Sequence, residues 1–531
     1  MTNLLTKWGG RGRLGYLLAP MLLLGAQNCT SLTEVPHDAL TPETAFKTDA
    51  EILAGVAGVY AALRAVEWVG YITLEDLTTD AAIVPTRGQD WYDNGQWLDL
   101  HRQTWTANSA GELAFVDGAW NDMFGGVAKT NLMIDVIEKS GLAQARKDST
   151  LAELRTMRVW YYYMLQDMFG GVPIVTTTEL KQYPRVGRDS IFRFMEKELL
   201  DSRTHLPDKW DASNYGRITK GAANAILASI YLNAGVFDKN TGWNATAYNS
   251  CKGVTVTGGD ACAGAVAAAD AVINSGVYTL NPNWYQNFAL DNKSSPENIF
   301  VVVHTGGTLG IGGSWPMRTL HYNQLNSGWG SPWNGFATLA ETYNAFDAND
   351  DRRGMWLAGQ AKSFETGQPV NDRAGSPLIF TTTIKDVDAA SEGEGVRFNK
   401  FPPLPSAPTG QSAPNDFTFF RLAEMYLIKA EALLESGNTA AAQTAFNTIH
   451  NRHNPSAVTV SRDAILKERL LELSAEGKRR TDMIRHGKFL SWTEASLHGH
   501  VNKSGETFRL LFPISSNQLG SNPLLTQNPG Y

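Results

Sequence analysis

The sequence predicts a mostly α-helical protein in which pairs of helices form a scaffold and long irregular loops pack on it as a cap. Apolar residues recur at helical spacing in many segments. Two stretches, Thr78–Ala110 and Trp284–Asn415, lack that spacing and are rich in glycine and aromatic residues. The chain has 531 residues, of which 43% are apolar, as is ordinary for a globular protein. This length allows several domains or one large helical domain with long loops.

The charge of the chain limits the kinds of partner that it can have. The formal net charge is −7, with 53 acidic residues against 46 lysines and arginines. Because phosphate binding requires a basic surface, nucleic acid is not expected as the main partner. No apolar run is long enough to predict a membrane-spanning helix.

The first 28 residues predict an export signal. Basic residues among the first 13 precede the short apolar run Leu14–Ala26, and Cys29 follows. This order is typical of a signal that ends in lipid attachment, so we expect Cys29 to be lipidated. Asn28 departs from the small residue that normally precedes such a cysteine. Ordinary secretion without a lipid is the alternative.

Several segments between residues 51 and 304 have a regular secondary structure pattern. The aromatic cluster Trp160–Tyr163 lies at helical spacing, so we expect most of it in the core rather than on a binding surface. Asn298–His304 is strand-like. The predicted helices are Glu51–Val66, a helix beginning near Trp120, Leu151–Phe169, Ile191–Leu206, Lys220–Ala234 and Gly264–Asn274.

The stretch Phe419–Arg452 predicts two helices joined by a tight turn. Apolar residues recur at helical spacing in both halves. Gly437 can adopt the left-handed conformation that ends a helix, and Asn438 can cap the next one. An antiparallel helix pair of roughly 34 residues, with small residues at the contact, is the unit of a tetratricopeptide-type repeat.

Two cysteines, Cys251 and Cys262, lie in an irregular insertion between predicted helices. They are the only cysteines besides Cys29. In an exported protein a local pair is more often bridged than free, so we expect a disulfide here.

The two irregular stretches carry residues suited to sugar binding. A sugar ring has an apolar face of C–H groups and an edge of hydroxyls. Aromatic rings cover such a face, while Asp, Asn, Gln and Arg side chains reach the edge. Alternatively, the rings only pin the loops to the helical body. The candidate ligand-binding residues are Arg87, Asp90, Trp91, Tyr92, Asn94, Trp97, Trp329 and Trp333.

Carboxylates and histidines elsewhere give weaker signals. Glu468, Glu472 and Glu476 are four residues apart, on one face of a predicted helix. Two of them could act as acid and base in an enzyme, but nearby arginines and lysines favour a structural ion network. His498 and His500 lack a third ligand at a standard spacing, so no metal is expected. In the absence of a phosphate loop or nucleophile elbow, no catalytic residue and no cofactor is expected.

Four motifs, in order along the chain, resemble the SusD/RagB family of Bacteroidetes surface lipoproteins. These proteins capture glycans or other nutrients for an outer-membrane transporter. DANDDRR at 347–353 also matches an aspartate–arginine signature of the family. The four motifs are RVWYYYMLQDMFGGVPIV (158–175), RLAEMYLIKAEALLESGN (421–438), ILKERLLELSAEGKRRTDMIRHGKF (465–489) and FPISSNQLGSNPLLTQNPGY (512–531).

The resemblance implies one SusD-like domain at 29–531, behind the signal at 1–28. Its parts would be an N-terminal part at 29–236, a loop-rich part at 237–415 and a C-terminal helical part at 416–531. The implied function is non-catalytic binding of an extracellular oligosaccharide and its delivery to a SusC-type, TonB-dependent transporter. The protein would be lipid-anchored in the outer membrane and would face the exterior.

Two other classes of function remain open at this point. A glycan-degrading enzyme would need a carboxylate pair in the aromatic loops, such as Asp90 and Asp99. A protein-interaction scaffold would instead use the concave face of the helix pairs. A nutrient other than sugar, such as a peptide, is also possible within the family.

Overall fold

The computed structural model describes residues 45–109, 115–306, 313–325, 331–404, 413–492 and 506–531. The predicted signal, the lipidation candidate Cys29 and the histidines His498 and His500 lie outside these ranges, as does the candidate Trp329.

Helices dominate the described residues. A π-helical stretch at Val66–Ile72 joins the first helices, and 3₁₀ turns occur at Asp93–Gly95 and Asp351–Met355. The α-helices are α1 Asp49–Ala61, α2 Leu63–Ala65, α3 Thr73–Leu77, α4 Gln96–His101, α5 Asp117–Lys139, α6 Gln144–Phe169, α7 Arg188–Ser202, α8 Lys220–Leu232, α9 Ala234–Phe237, α10 Ala261–Ile273, α11 Trp315–Thr319, α12 Ala340–Ala345, α13 Leu422–Glu435, α14 Thr439–His453, α15 Arg462–Leu473, α16 Arg479–Arg485 and α17 Ser516–Ser521.

The strands of the described residues form two-stranded antiparallel sheets that pair β1 with β2, β3 with β8, β4 with β7 and β5 with β6. In the longest pair, Val301 lies opposite Thr418. The strands are β1 Thr255–Val256, β2 Gly259–Asp260, β3 Asn298–Val302, β4 Trp356–Leu357, β5 Gly359–Gln360, β6 Ile379–Phe380, β7 Arg397–Phe398 and β8 Phe417–Arg421. The fold is therefore mostly α, as predicted.

Helix pairs form the scaffold. Helix α5 packs on α6 and α6 on α7, while α10 packs on both α8 and α13, and α13 on α14. Trp160 of α6 is fully buried and stacks on Tyr163 with ring centroids 5.0 Å apart. The rings of Phe419 and Phe420 from β8 lie 4.9 and 5.2 Å from the same indole. The prediction that the Trp160–Tyr163 cluster belongs to the core is confirmed.

The helix pair at the end of the chain differs from the prediction at its start. Phe419 was predicted in a helix, but Phe417–Arg421 is strand β8 and helix α13 begins at Leu422. A run of aromatic residues pairs well with the β-branched strand Asn298–Val302, and this pairing outweighs the helical spacing. The predicted turn is confirmed, because Gly437 has a φ of 86° and the Asn438 side chain accepts a hydrogen bond from the Ala441 N–H.

The triple glutamate lies in a buried ion network, but its helix and its cations differ from the prediction. Helix α15 ends at Leu473, so Glu476 follows the helix rather than lying on it. Arg352 donates to both Glu468 and Glu472 at 2.7 Å, and Arg421 donates to Glu476 at 2.9 Å. The cations thus come mainly from distant segments rather than from the predicted neighbours.

The cysteine insertion is closed by a disulfide. Cys251 and Cys262 are bonded, with their Cα atoms 5.0 Å apart. The predicted pairing is confirmed. The bond ties the insertion to the start of helix α10, because Cys262 is the second residue of that helix.

Within the described ranges, no helix is both long and apolar enough to cross a membrane.

Candidate functional site

The two aromatic stretches, far apart in sequence, meet at Trp91 and Trp333. Their ring centroids are 6.4 Å apart, and the Trp91 indole N–H donates to the Trp333 carbonyl oxygen at 2.5 Å. Both rings are half-buried. The Arg318 guanidinium lies 5.7 Å from the centroid of the Trp333 ring. We call the surface formed by Trp91, Tyr92 and Trp333 the aromatic surface.

A buried layer of rings supports this surface. Trp97, on helix α4, is only 5% exposed and meets the Trp91 ring edge-to-face at 5.0 Å. The rings of Phe115 and Phe336 pack against Trp97 at 4.8 and 5.9 Å. The Trp97 N–H donates to the Asp93 carboxylate at 2.7 Å, which ties the helix to the loop that precedes it. Trp97 therefore fixes the position of Trp91 from beneath.

Arg87 joins the two stretches from inside. Its side chain is 2% exposed and donates to the backbone oxygens of Asn334 and Glu394 at 3.0 and 2.7 Å, and also to that of Ser391. Burial without a carboxylate partner at bonding distance lowers the pKa of Arg87 to about 10. Its hydrogen bonds connect loops from three parts of the chain.

The backbone of both stretches is strained at this place. Six described residues other than glycine have a positive φ, and four of them are here: Trp91 at 63°, Asp93 at 39°, Asn94 at 59° and Asn334 at 53°. Such conformations are uncommon for bulky residues and persist where surrounding contacts enforce them. They cluster at ligand-binding sites in many proteins. The strain therefore marks the aromatic surface as a candidate site.

A polar cluster lies beside the aromatic surface. Asp90 accepts hydrogen bonds from Tyr322 at 2.6 Å and from Arg373 at 2.9 Å. Arg373 also donates to Glu392, which accepts a further bond from His321 at 2.9 Å. Burial works against ionisation of Glu392, but hydrogen bonds from Arg373 and His321 hold its pKa below the ordinary value. The Arg373 guanidinium lies 4.2 Å from the Tyr322 ring centroid, so it is held over an aromatic face.

Comparison with known proteins identifies the family. A model described as the SusD family matches residues 269–531, and a model described as "Starch-binding associating with outer membrane" matches residues 38–232. The chain belongs to the SusD family. The resemblance seen in the sequence motifs is confirmed.

Individual relatives in the SusD family are similar over nearly the whole chain. SusD-like protein P25 of Formosa agariphila is 24% identical over 94% of this chain and 96% of its own length. The starch-binding protein SusD of Bacteroides thetaiotaomicron is 23% identical over 83% of this chain and 82% of its own.

Solved structures of the SusD family share the fold. A laminarin-binding SusD-like protein superimposes with a TM-score of 0.71 and 23% identity, covering 92% of this chain and 100% of that one. Surface glycan-binding protein A from Bacteroides thetaiotaomicron, in complex with laminarihexaose, superimposes with a TM-score of 0.70 and 20% identity, covering 90% of this chain and 99% of that one.

The structure places the predicted site residues of this SusD family member at different depths. Tyr92 is 57% exposed, and Asn94 is exposed beside it. Asp90, Trp91 and Trp333 are half-buried at the surface. Arg87 and Trp97 lie beneath, where a ligand reaches them only if the loops move.

Several residues of the site were not singled out from the sequence. Arg373 and Glu392 come from the loop-rich part of the chain and reach Asp90 only through the fold. No local pattern around them signals a role, since both stand in irregular polar segments. Tyr322 stands in the second aromatic stretch, but its bond to Asp90 was not foreseeable.

Two carboxylates of the first aromatic stretch, Asp90 and Asp99, make contacts within the protein. Among the described residues, no group of three or more His, Cys, Asp or Glu side chains is arranged to hold a metal ion. Asp90 is ion-paired with Arg373, and one oxygen of Asp99 accepts a hydrogen bond from Thr104 at 3.1 Å. Asp90 is thus engaged in holding the loops together.

Proposed function

We propose that this SusD family member binds an extracellular oligosaccharide without cleaving it and delivers it to a SusC-type, TonB-dependent transporter of the outer membrane. The observation that carries the proposal is the aromatic surface itself. It combines exposed and half-exposed rings, strained backbone and a polar edge in one place.

The chemistry of this surface fits a sugar ring. Tyr92 and the accessible parts of Trp91 and Trp333 offer flat apolar faces for the C–H side of a pyranose. Asn94, Asp90 and Arg373 supply an amide, a carboxylate and a guanidinium for its hydroxyls. The buried supports below, Trp97 and Arg87 among them, keep the rings in place before a ligand arrives, which reduces the entropy lost on binding. Trp329 remains part of the proposal as a further contact.

The names of similar proteins support the same ligand class. One family description refers to starch binding, and the relatives include a starch-binding protein and proteins that bind laminarin or laminarihexaose. This chain shares their fold, so the proposal extends their ligand class to it without naming a particular glycan.

Anchoring and the transporter form the second half of the proposal. The basic start, the short apolar run and Cys29 support lipid attachment, and one family description refers to the outer membrane. A lipid on Cys29 would hold the domain at the outer membrane, facing the exterior. Purification of a tagged chain from outer membranes of the native host should bring down a TonB-dependent transporter. Recovery of the chain alone would contradict this half.

An affinity-electrophoresis screen tests the binding proposal. Purified protein lacking residues 1–29 is run through gels that contain starch, laminarin, xylan, pectin or alginate. We expect one of them to retard the protein, and we expect no new reducing ends after prolonged incubation with it. Failure of every polysaccharide to retard the protein would contradict the proposal, and new reducing ends would favour an enzyme.

A further inference from the structure

A cleft with a volume of about 670 Å³ lies between the connection from α7 to α8 and the segment that leads into β3. This volume falls within the roughly 300–1,000 Å³ of small-molecule sites. Its lining comes from residues 208–219 and 277–301, none of which belongs to the aromatic surface. The cleft is therefore separate from the site described above.

A rigid indole ring forms one wall of this cleft. The Trp210 N–H donates to the Ile218 carbonyl oxygen at 2.8 Å. One face of the ring is covered by the Arg217 guanidinium, 4.0 Å from the ring centroid. Glu153, whose side chain is fully buried, accepts two hydrogen bonds from Arg217, at 2.9 and 2.6 Å. These two contacts hold the indole in place, and the half-buried ring lines the cleft.

Polar groups line the rest of the cleft. Tyr215 donates to Asp416 at 2.8 Å, and the Tyr278 hydroxyl pairs with Thr219 at 2.9 Å, so both phenol rings are held in place. Lys209 and Ser294 are exposed at the rim. Three aromatic rings with hydroxyl and ammonium groups around them form the same kind of lining as a sugar site.

We propose that this cleft is a second oligosaccharide-binding site, with Trp210 as the ring that stacks on the sugar. The proposal takes its ligand class from the proposed function, but it concerns other residues. A protein with two separate sites on one chain can hold a long glycan at two points. Binding at both sites raises the avidity for a polysaccharide above that for a short oligosaccharide.

The test uses the polysaccharide that retards the wild-type protein in the electrophoresis screen. Trp210→Ala removes the stacking ring, and Ser294→Trp fills the cleft from its rim while leaving Trp210 and its support intact. Leu180→Ala, at a fully exposed position outside both sites, serves as the control. Melting curves confirm that each variant is folded.

We expect Trp210→Ala and Ser294→Trp each to weaken retardation, and we expect Leu180→Ala to behave like the wild type. When Tyr92→Ala is titrated with a hexasaccharide of the same polysaccharide, we expect binding at one residual site. In the double variant Tyr92→Ala/Trp210→Ala, the affinity of that site should fall about thirtyfold. If the polysaccharide retards both cleft variants as strongly as the wild type but no longer retards Tyr92→Ala, this inference is overturned and the proposed function stands. If no polysaccharide binds the wild type, both this inference and the proposed function fail.

Discussion

Replacement of Glu472 by glutamine tests the buried ion network most sharply. The carboxylate is fully buried and accepts hydrogen bonds from Arg352 at 2.7 Å and from Trp284 at 3.0 Å, and one from Arg421. His453 lies 3.3 Å from the same carboxylate. The amide of Glu472→Gln keeps the shape but removes the charge. Arg352 and Arg421 then stay buried with less negative charge to neutralise them.

The expected loss of stability follows from that burial. Breaking a buried, hydrogen-bonded ion pair by removing one partner costs about 3–5 kcal/mol, because the other charge stays desolvated. Glutamine still offers one acceptor oxygen, so we expect the low end, about 3 kcal/mol off the free energy of unfolding. Affinity for the glycan should not change, since none of the residues bonded to Glu472 is among those of the aromatic surface.

The pH dependence gives a second signature. Burial opposes ionisation of Glu472, but Arg421 and His453 outweigh it and hold its pKa well below the ordinary 4.5. Because the folded pKa is the lower one, the stabilisation is fully present above pH 4.5 and is lost as the pH falls through the folded pKa. The difference between wild type and Glu472→Gln should therefore shrink in acid.

Denaturant unfolding monitored by circular dichroism, at pH 7 and at several values below 4.5, provides the assay. Glu179→Gln, which removes an exposed partner of Lys181, is the matched control and should change stability by less than about 1 kcal/mol. Equal stability of Glu472→Gln and the wild type at pH 7 would refute the reasoning. Lost glycan binding at unchanged stability would instead place Glu472 in a ligand site.

Three further predictions concern the disulfide, the lipid and the support of the aromatic surface. Cys251→Ser should lower the free energy of unfolding of the oxidised protein by about 3 kcal/mol, measured by denaturant unfolding. Identical unfolding curves for the reduced and the oxidised wild type would contradict this. Metabolic labelling with a palmitate analogue should mark the wild type but not Cys29→Ala, and an unlabelled wild type would exclude the anchor. Gly335→Ala should weaken glycan binding, because its Cβ would lie 2.3 Å from the Trp91 ring and displace it; Gly125→Ala, with open space around it, should bind normally in the same titration.

The helical scaffold could be predicted because its signals are local. Apolar spacing located helices α6, α7, α8 and α10, and the turn at Gly437 needed only a residue that tolerates positive φ. Helix α6 begins at Gln144. The prediction placed its start at Leu151 because the first turns carry few apolar residues that would reveal the helical spacing. Strand β8 was missed because its stability comes from β3, more than a hundred residues away.

The candidate site could be predicted only in part. Residue types and loop length identified both aromatic stretches, but they could not separate exposed rings from buried ones. Trp97 is buried because Phe115 and Phe336 pack on it, whereas Tyr92, five residues earlier, is 57% exposed. Burial of a ring in a loop depends on which distant segments meet it, and a single sequence carries no local signal for that.

In the ion network, the sequence identified the acidic residues but not the cations that neutralise them. The spacing of Glu468 and Glu472 correctly grouped them, and the structural role was correctly predicted from the need to neutralise like charges. The cations were misassigned, because Arg352 and Arg421 are brought in by tertiary packing while nearby Arg469 bonds to Asp482 instead.

The central claim is that a glycan stacks on the aromatic surface, and calorimetric titration of single-ring variants tests it most directly. With the polysaccharide fragment that binds the wild type, Tyr92→Ala, Trp91→Ala and Trp333→Ala are titrated alongside Trp97→Ala, each with a melting curve. Truncating a true contact should cost about 2 kcal/mol, roughly thirtyfold in affinity, in at least one of the three surface variants. Trp97→Ala should chiefly lower the melting temperature. Wild-type affinity in all three surface variants would contradict the account.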